Sequence, residues 1–192
     1  MRVTESLASP ESPDLGAAVE RARAACIATA QRLAASSVPR EFLAEYVPPR
    51  RGFLRLKPAT MHPLDEVWRI GALLLAESGD LYELGHATRA AERGRPGYQS
   101  VSREERREIA AAALRGGYTI GDAVNYDAAP ILLDAASPTA RAALSGDGPV
   151  GFHSGEIRVR WRVGAPLTGA PTLGAFLAER AGLLITPPFS GG

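Results

Sequence analysis

Apolar and polar positions recur along this chain with two periods, and each period points to an element. Over 14–36, Leu15, Ala18, Val19, Ala22, Cys26, Ile27 and Leu33 return on one side at helical spacing, which predicts a long amphipathic helix. A second helix is predicted over 102–117, SREERREIAAAALRGG. There Ser102 and Glu105 have the three-residue spacing of a capping box, and Gly116-Gly117 offers a left-handed stop. Its apolar face of Ile109, Ala112 and Ala113 is narrow and suits close approach to a sheet. Ser137-Pro138 starts a short helix reaching Leu144, a final helix spans 171–184, and a short one is expected over 40–46.

Strand signals fill the intervals. Residues 67–76 are apolar on both faces and, after Glu77-Ser78-Gly79-Asp80, are followed by 81–88, which predicts a β-hairpin. A two-residue Ser78-Gly79 turn would set Gly71 opposite His86 and leave space beside the imidazole. Residues 130–133 read as a buried strand. Residues 157–163 alternate strictly, with Ile157, Val159, Trp161 and Val163 on one face and a solvated ladder of Arg158, Arg160 and Arg162 on the other. Pro48, Pro49, Pro58 and Pro63 make 47–63 a loop apart from a short strand over 53–56, and 146–155 is a Gly-rich loop. With tails at 1–13 and 188–192, a single domain over 14–187 is expected. The order helix, hairpin, helix, strand, helix, strand, helix predicts an α/β three-layer sandwich, helices covering both faces of a mixed sheet.

Composition narrows the function classes. The 192 residues are 45% hydrophobic without an apolar run of about eighteen, so a soluble domain without a membrane partner is expected. The polar, Pro-containing start MRVTESLASPESPD is unlike a signal peptide, and a cytoplasmic location is the expectation. The single cysteine, Cys26, excludes an internal disulfide and reads as a packed hydrophobe. Lys57 is the one lysine beside 21 arginines, yet the net charge is +1 and no segment is strongly basic, so duplex nucleic acid is not an expected partner. Arg89, Arg93, Arg95 and Tyr98 precede the 102–117 helix, whose N-terminus favours anions.

Four stretches, taken in order, resemble the cytidine deaminase family. Trp68-Arg69-Ile70-Gly71-Ala72-Leu73-Leu74-Leu75 followed by Gly79, Leu81-Tyr82 and Gly85 is similar to the family's hairpin, F-x-V-G-A-A-L-L…D-G-x-I-Y-x-G. Glu105-Arg106-Arg107-Glu108-Ile109 with Gly116 is similar to its E-R-x-A-I helix. Leu133-Asp134-Ala135-Ala136-Ser137-Pro138 is similar to the approach to its P-C-x-x-C, and Thr172-Leu173-Gly174-Ala175-Phe176-Leu177 to its T-L-x-E-L-L. The resemblance implies a deaminase-like sandwich, a homodimer or homotetramer, and Glu105 in the place of the proton shuttle.

The departures decide what chemistry is expected. Where the family holds three zinc ligands this chain has Arg103, Thr139 and Ala142; a cation, a neutral hydroxyl and a methyl group do not replace thiolates or imidazole. Without zinc nothing generates the hydroxide of hydrolytic deamination, so no metal and no cofactor are implied. The ribose-binding Asn and Glu are replaced by Ala87 and Arg89, which suits an anionic ligand. The sequence therefore carries two function classes. One is a metal-independent general acid/base enzyme for proton transfer, dehydration or cyclisation of an anionic metabolite, with Glu105 catalytic and Arg103, His86, Arg89, Thr139, Tyr98 and Trp68 binding the ligand. The other is a catalytically silent ligand-binding or protein-interaction subunit, in which Glu105 is a capping residue. Asn125, Tyr126 and Asp127 lie in an apparent insertion within reach of the pocket.

Overall fold

A computed structural model describes residues 14–51, 56–94 and 101–187; the expected tails, most of the 53–56 strand, Arg95 and Tyr98 lie outside them. The chain is mixed α/β and divides into two compact units, one of residues up to Ala25 with Leu132–Ala178, the other of Cys26–Ile131 with residues from Glu179 on.

The helical periods hold. α1 is Leu15–Ala35 and buries Ala18, Val19, Ala22, Cys26, Ala30 and Leu33, although Ile27, expected on that face, is 44% exposed. Burial pushes the Cys26 thiol from 9.0 up to about 12, with Asp80 adding to it. α2 is Val101–Arg115. Its stop is the expected one: Gly117 is left-handed (φ 99°), and Tyr118 N–H reaches back to the Ala113 carbonyl at 3.4 Å. Its start is not, because Ser102 already lies inside the helix rather than at the cap. α3, Pro138–Ser145, has Ser137 as N-cap, whose hydroxyl accepts from Ala140 N–H at 3.3 Å. α4 is Leu173–Ile185, and Thr172 Oγ1 accepts from Ala175 N–H at 3.2 Å.

The strands depart further from expectation. Residues 40–46 form no helix: β1 is Glu41–Val47, held by period-2 alternation between Pro39 and Pro48, with Phe42, Ala44 and Tyr46 on one face and Leu43 on the other. After the short ribbon of β2 (Arg50–Arg51) and β3 (Leu56–Lys57), the end of the stretch read as a Pro-rich loop opens β4, Thr60–Ile70, which runs on into the start of the expected 67–76 strand. Pro63 is tolerated because it sits at a bulge, where the β1–β4 register shifts between Leu43 and Ala44. The predicted 67–76 strand is two strands. A two-residue turn at Gly71-Ala72, with Gly71 at φ 60°, reverses the chain so that Ile70 pairs Leu73 and β5 is Leu73–Ala76. Gly71 is thus not opposite His86. The next turn has three residues, Glu77-Ser78-Gly79, closed by Ala76 N–H to the Asp80 carbonyl at 2.9 Å.

β6 (Leu81–Glu83) pairs β5 and β9 (Ala129–Ile131), while β7 (His86–Arg89) pairs β8 (Ala123–Tyr126), which runs parallel to β1. The sheet order is β7-β8-β1-β4-β5-β6-β9, mixed because of the β1–β8 pair. Its two ends are made from the same two pieces of chain. Leu84-Gly85 alone separates β6 from β7, and Asp127-Ala128 alone separates β9 from β8. The register is constant throughout, from Leu81 opposite Ile131 to Arg89 opposite Ala123. Residues 81–89 and 123–131 are therefore one antiparallel ribbon, bent at Gly85 against Asp127, and strand pairing returns on itself from β1 through β4, β5 and the ribbon to β1 again.

At the bend the side chains exchange faces. Leu84 and Ala128 join Leu43, Val67, Leu74, Ala76 and Tyr82, whereas Val124 and Tyr126 join Ala44, Met61 and the α2 residues Ala112 and Ala113. A Cβ on Gly85 would lie 2.2 Å from the Asp127 carbonyl oxygen, so only glycine lets the two backbones meet. Asp127 is itself left-handed at φ 55°.

The remaining strands are β10 (Val150–His153), inside the expected Gly-rich loop, and β11 (Glu156–Val159), which pair antiparallel. The 157–163 alternation ends early. Arg160 is 8% exposed, and its guanidinium donates to the carbonyls of Ala165, Gly148 and Gly146 at 2.8, 2.5 and 2.8 Å. Arg158 donates to His153 and Ala170 carbonyls. Two rungs of the ladder are thus not a solvated face, because the Arg158 and Arg160 guanidinium groups satisfy carbonyls of the loops around them, whereas Arg162 is exposed. Nor is 130–133 a buried strand: β9 pairs only with β6, and Leu132 is 47% exposed.

Two outcomes are expected. Gly85→Ala should cost about 3 kcal/mol in urea denaturation, with amide exchange accelerating first in β7 and β8. Cys26 should resist iodoacetamide in the folded protein and react after unfolding. Since its folded pKa is raised, the stability Cys26 confers is complete below pH 9 and is lost as pH rises toward 12; burial raises Tyr82, Tyr118 and Tyr126 as well, which acts in the same direction. A pH-dependent melt checks the sign.

Candidate functional site

The N-terminal half of α2 carries the densest charge. Arg103, Arg106 and Arg107, with Glu92, Ala91 and Ala110, line an open cleft of about 350 Å³. The chain leaving β7 is tied to the side of α2 by Ala91 N–H to the Ala110 carbonyl at 3.2 Å, which forms one wall. Arg107 pairs with Glu104 at 3.4 Å and Arg106 Nε donates to the Ser102 carbonyl at 3.2 Å, while Arg103 is exposed. Arg93, expected to face an anion, pairs instead with Glu108 at 3.3 Å. Glu108 also takes Arg115 at 2.5 Å, and Arg115 Nε donates to the Ala59 carbonyl at 2.7 Å, locking α2 to the start of β4. Glu105 is exposed.

Within the same unit, His86, Arg89 and Trp68 do not line this cleft. His86 is exposed on β7 with its ring 5.5 Å from that of Tyr126. Arg89 donates to the Gly121 carbonyl at 3.0 Å. Trp68 is 2% exposed, and its indole N–H donates to the Val38 carbonyl at 2.9 Å. The Arg40 guanidinium lies 5.7 Å from the Trp68 ring centre and bridges Glu66 and Glu77; these groups line a separate cleft of about 470 Å³. Thr139 is exposed in the first turn of α3, in the unit containing Leu132–Ala178.

One polar centre was not assembled by the sequence reading, which named Asn125 but not its partners. Asn125, 1% exposed on β8, donates to Glu41 Oε2 at 2.8 Å and to the Phe42 carbonyl at 3.1 Å, and its Oδ1 accepts from Arg69. Arg69 Nε reaches Glu41 Oε2 at 3.3 Å. Both charged side chains keep about a third of their surface in water, 35% for Arg69 and 31% for Glu41. The buried amide is therefore the fixed point, and the ion pair alone contributes modestly. The signal in sequence is one polar residue inside the apolar run Ala123-Val124-Asn125-Tyr126; its partners lie 84 and 56 positions away.

Among the described residues, no group of three or more His, Cys, Asp or Glu side chains could hold a metal ion, and no helix is long and apolar enough to cross a membrane. Compared with family models, curated proteins and solved structures, the chain matches none.

Asn125→Ala is expected to cost about 2 kcal/mol, because it strips both Glu41 and Arg69 of a buried partner. Chemical denaturation measures it, and Asn125→Asp should be worse, since it adds a second carboxylate beside Glu41.

Proposed function

We propose that this protein binds an anionic small molecule without transforming it, as a catalytically silent relative of the deaminase-like folds its motifs resemble. The observation that carries this reading is the α2 cleft: Arg103, Arg106 and Arg107 line it together, whereas Glu105, the carboxylate assigned to proton transfer, stands in solvent. A general acid or base works by meeting its substrate in a site that excludes water. A guanidinium cluster needs no such enclosure, because its planar fork recognises carboxylate or phosphate geometrically. The first turn of α2 adds the positive end of the helix dipole. Glu104 and Glu92 offset part of the charge, which favours a compact anion with a small apolar portion resting on Ala91 and Ala110 over a long polyanion.

Calorimetric titration with inorganic phosphate, pyrophosphate and small dicarboxylates tests the reading. Binding is expected to weaken about tenfold in Arg103→Ala and again in Arg106→Ala, and to fade with added salt. Unchanged affinity in both variants would remove the cleft as the site. A turnover abolished by Glu105→Gln, with the fold intact, would instead favour the metal-independent enzyme.

A further inference from the structure

The cleft of about 470 Å³ lies where the end of α1 meets β4 and the β5–β6 turn, lined by Ser37, Val38, Arg40, Glu66, Trp68 and Glu77 among others. All of its walls belong to the unit containing Cys26–Ile131. Local hydrogen bonds fix the shape of one wall. Val38 N–H reaches back to the Leu33 carbonyl at 3.2 Å and Ser37 N–H to that of Ala34 at 3.0 Å, with Ser37 left-handed at φ 52°. The Val38 carbonyl in turn accepts from the Trp68 indole, which ties this wall to β4. A helix C-terminus carries partial negative charge, and Ala34 and Ser37 bring that end of α1 into the lining.

The cleft already holds one guanidinium, the chain's own. Arg40 Nε pairs with Glu66 Oε2 at 2.9 Å, another of its nitrogens pairs with Glu77 Oε2, and its central carbon lies 5.7 Å from the centre of the Trp68 ring. Arg40 engages only one oxygen of each carboxylate. Oε1 of Glu66 and Oε1 of Glu77 have no partner among the described residues, and the two side chains keep 44% and 62% of their surface in water. Two carboxylates against one guanidinium leave the lining with one negative charge, the reverse of the arginine-lined α2 cleft. An anion is therefore disfavoured here. A metal ion is a poor guest too, because two carboxylates beside a guanidinium fall short of the ligand number that a hard cation takes. A nitrogen cation suits the lining, since its several N–H groups can donate to the free oxygens of two carboxylates at once.

We propose that this cleft binds a small organic cation carrying a guanidinium or primary ammonium group, which Glu66 and Glu77 hold beside Arg40. The volume falls within the range of about 300–1,000 Å³ usual for small-molecule sites. Calorimetric titration of the whole chain with butylguanidinium, 1,4-diaminobutane and tetramethylammonium tests it; the last has the charge without an N–H donor. The first two should bind and the third should not. Glu77→Gln and Glu66→Gln should each weaken binding about tenfold, and Glu77 is exposed enough for its variant to leave the melting temperature unchanged. Arg40→Ala, which leaves both carboxylates unshared, should tighten binding severalfold. Arg103→Ala, on the α2 cleft, should not weaken it, so this site stands or falls apart from the anion site. Absence of binding by both N–H cations overturns the proposal, as does equal binding of tetramethylammonium or an affinity indifferent to both glutamate variants.

Discussion

The backbone contact at Gly85 and Asp127 is the constraint on which the rest of the larger unit depends. Bending one long ribbon there sends β6 toward β5 and β8 toward β1, so the same pair of segments serves both ends of the strand order. The bend also exchanges the ribbon's faces, which places Tyr126 and Val124 under α2 and Tyr82 and Leu84 on the other side. Asn125 reaches Glu41 and Arg69 only because β8 is carried to β1 by this turn. No side chain can substitute for the missing Cβ, since the opposing atoms are backbone oxygens with no rotamer to yield.

The arginines divide between two tasks that composition does not separate. Arg115, Arg158 and Arg160 donate to main-chain carbonyls at loop junctions, where a planar five-donor group satisfies several acceptors that a lysine ammonium would reach less well. Arg103, Arg106 and Arg107 instead line open space on α2. Of these six, the second group alone lines a cleft, and that contrast underlies the proposal of binding over catalysis.

Two surfaces emerge with different chemistry: a cleft on α2 lined by Arg103, Arg106 and Arg107, and an exposed tip of Trp161, Arg162 and Val163. Neither depends on Glu105, and neither uses Cys26, which its burial keeps as an inert part of the core.

How much was legible in the sequence follows the range of the forces involved. α1, α2, α3 and α4 were foreseen nearly to the residue, because helical periodicity and caps such as Ser137 and Gly117 act within a few positions. The β5–β6 hairpin was foreseen for the same reason, although a third turn residue shifted its register. What tertiary structure alone decided involves partners far apart. β1 became a strand by pairing with β4 and β8, Pro63 fitted because a bulge received it, and Trp161 turned outward because Arg160 found three carbonyls across two loops. The arginine cleft was partly readable, since Arg103, Arg106 and Arg107 share one helix, whereas the Glu41–Arg69–Asn125 centre was not: its members meet only once the ribbon has bent at Gly85.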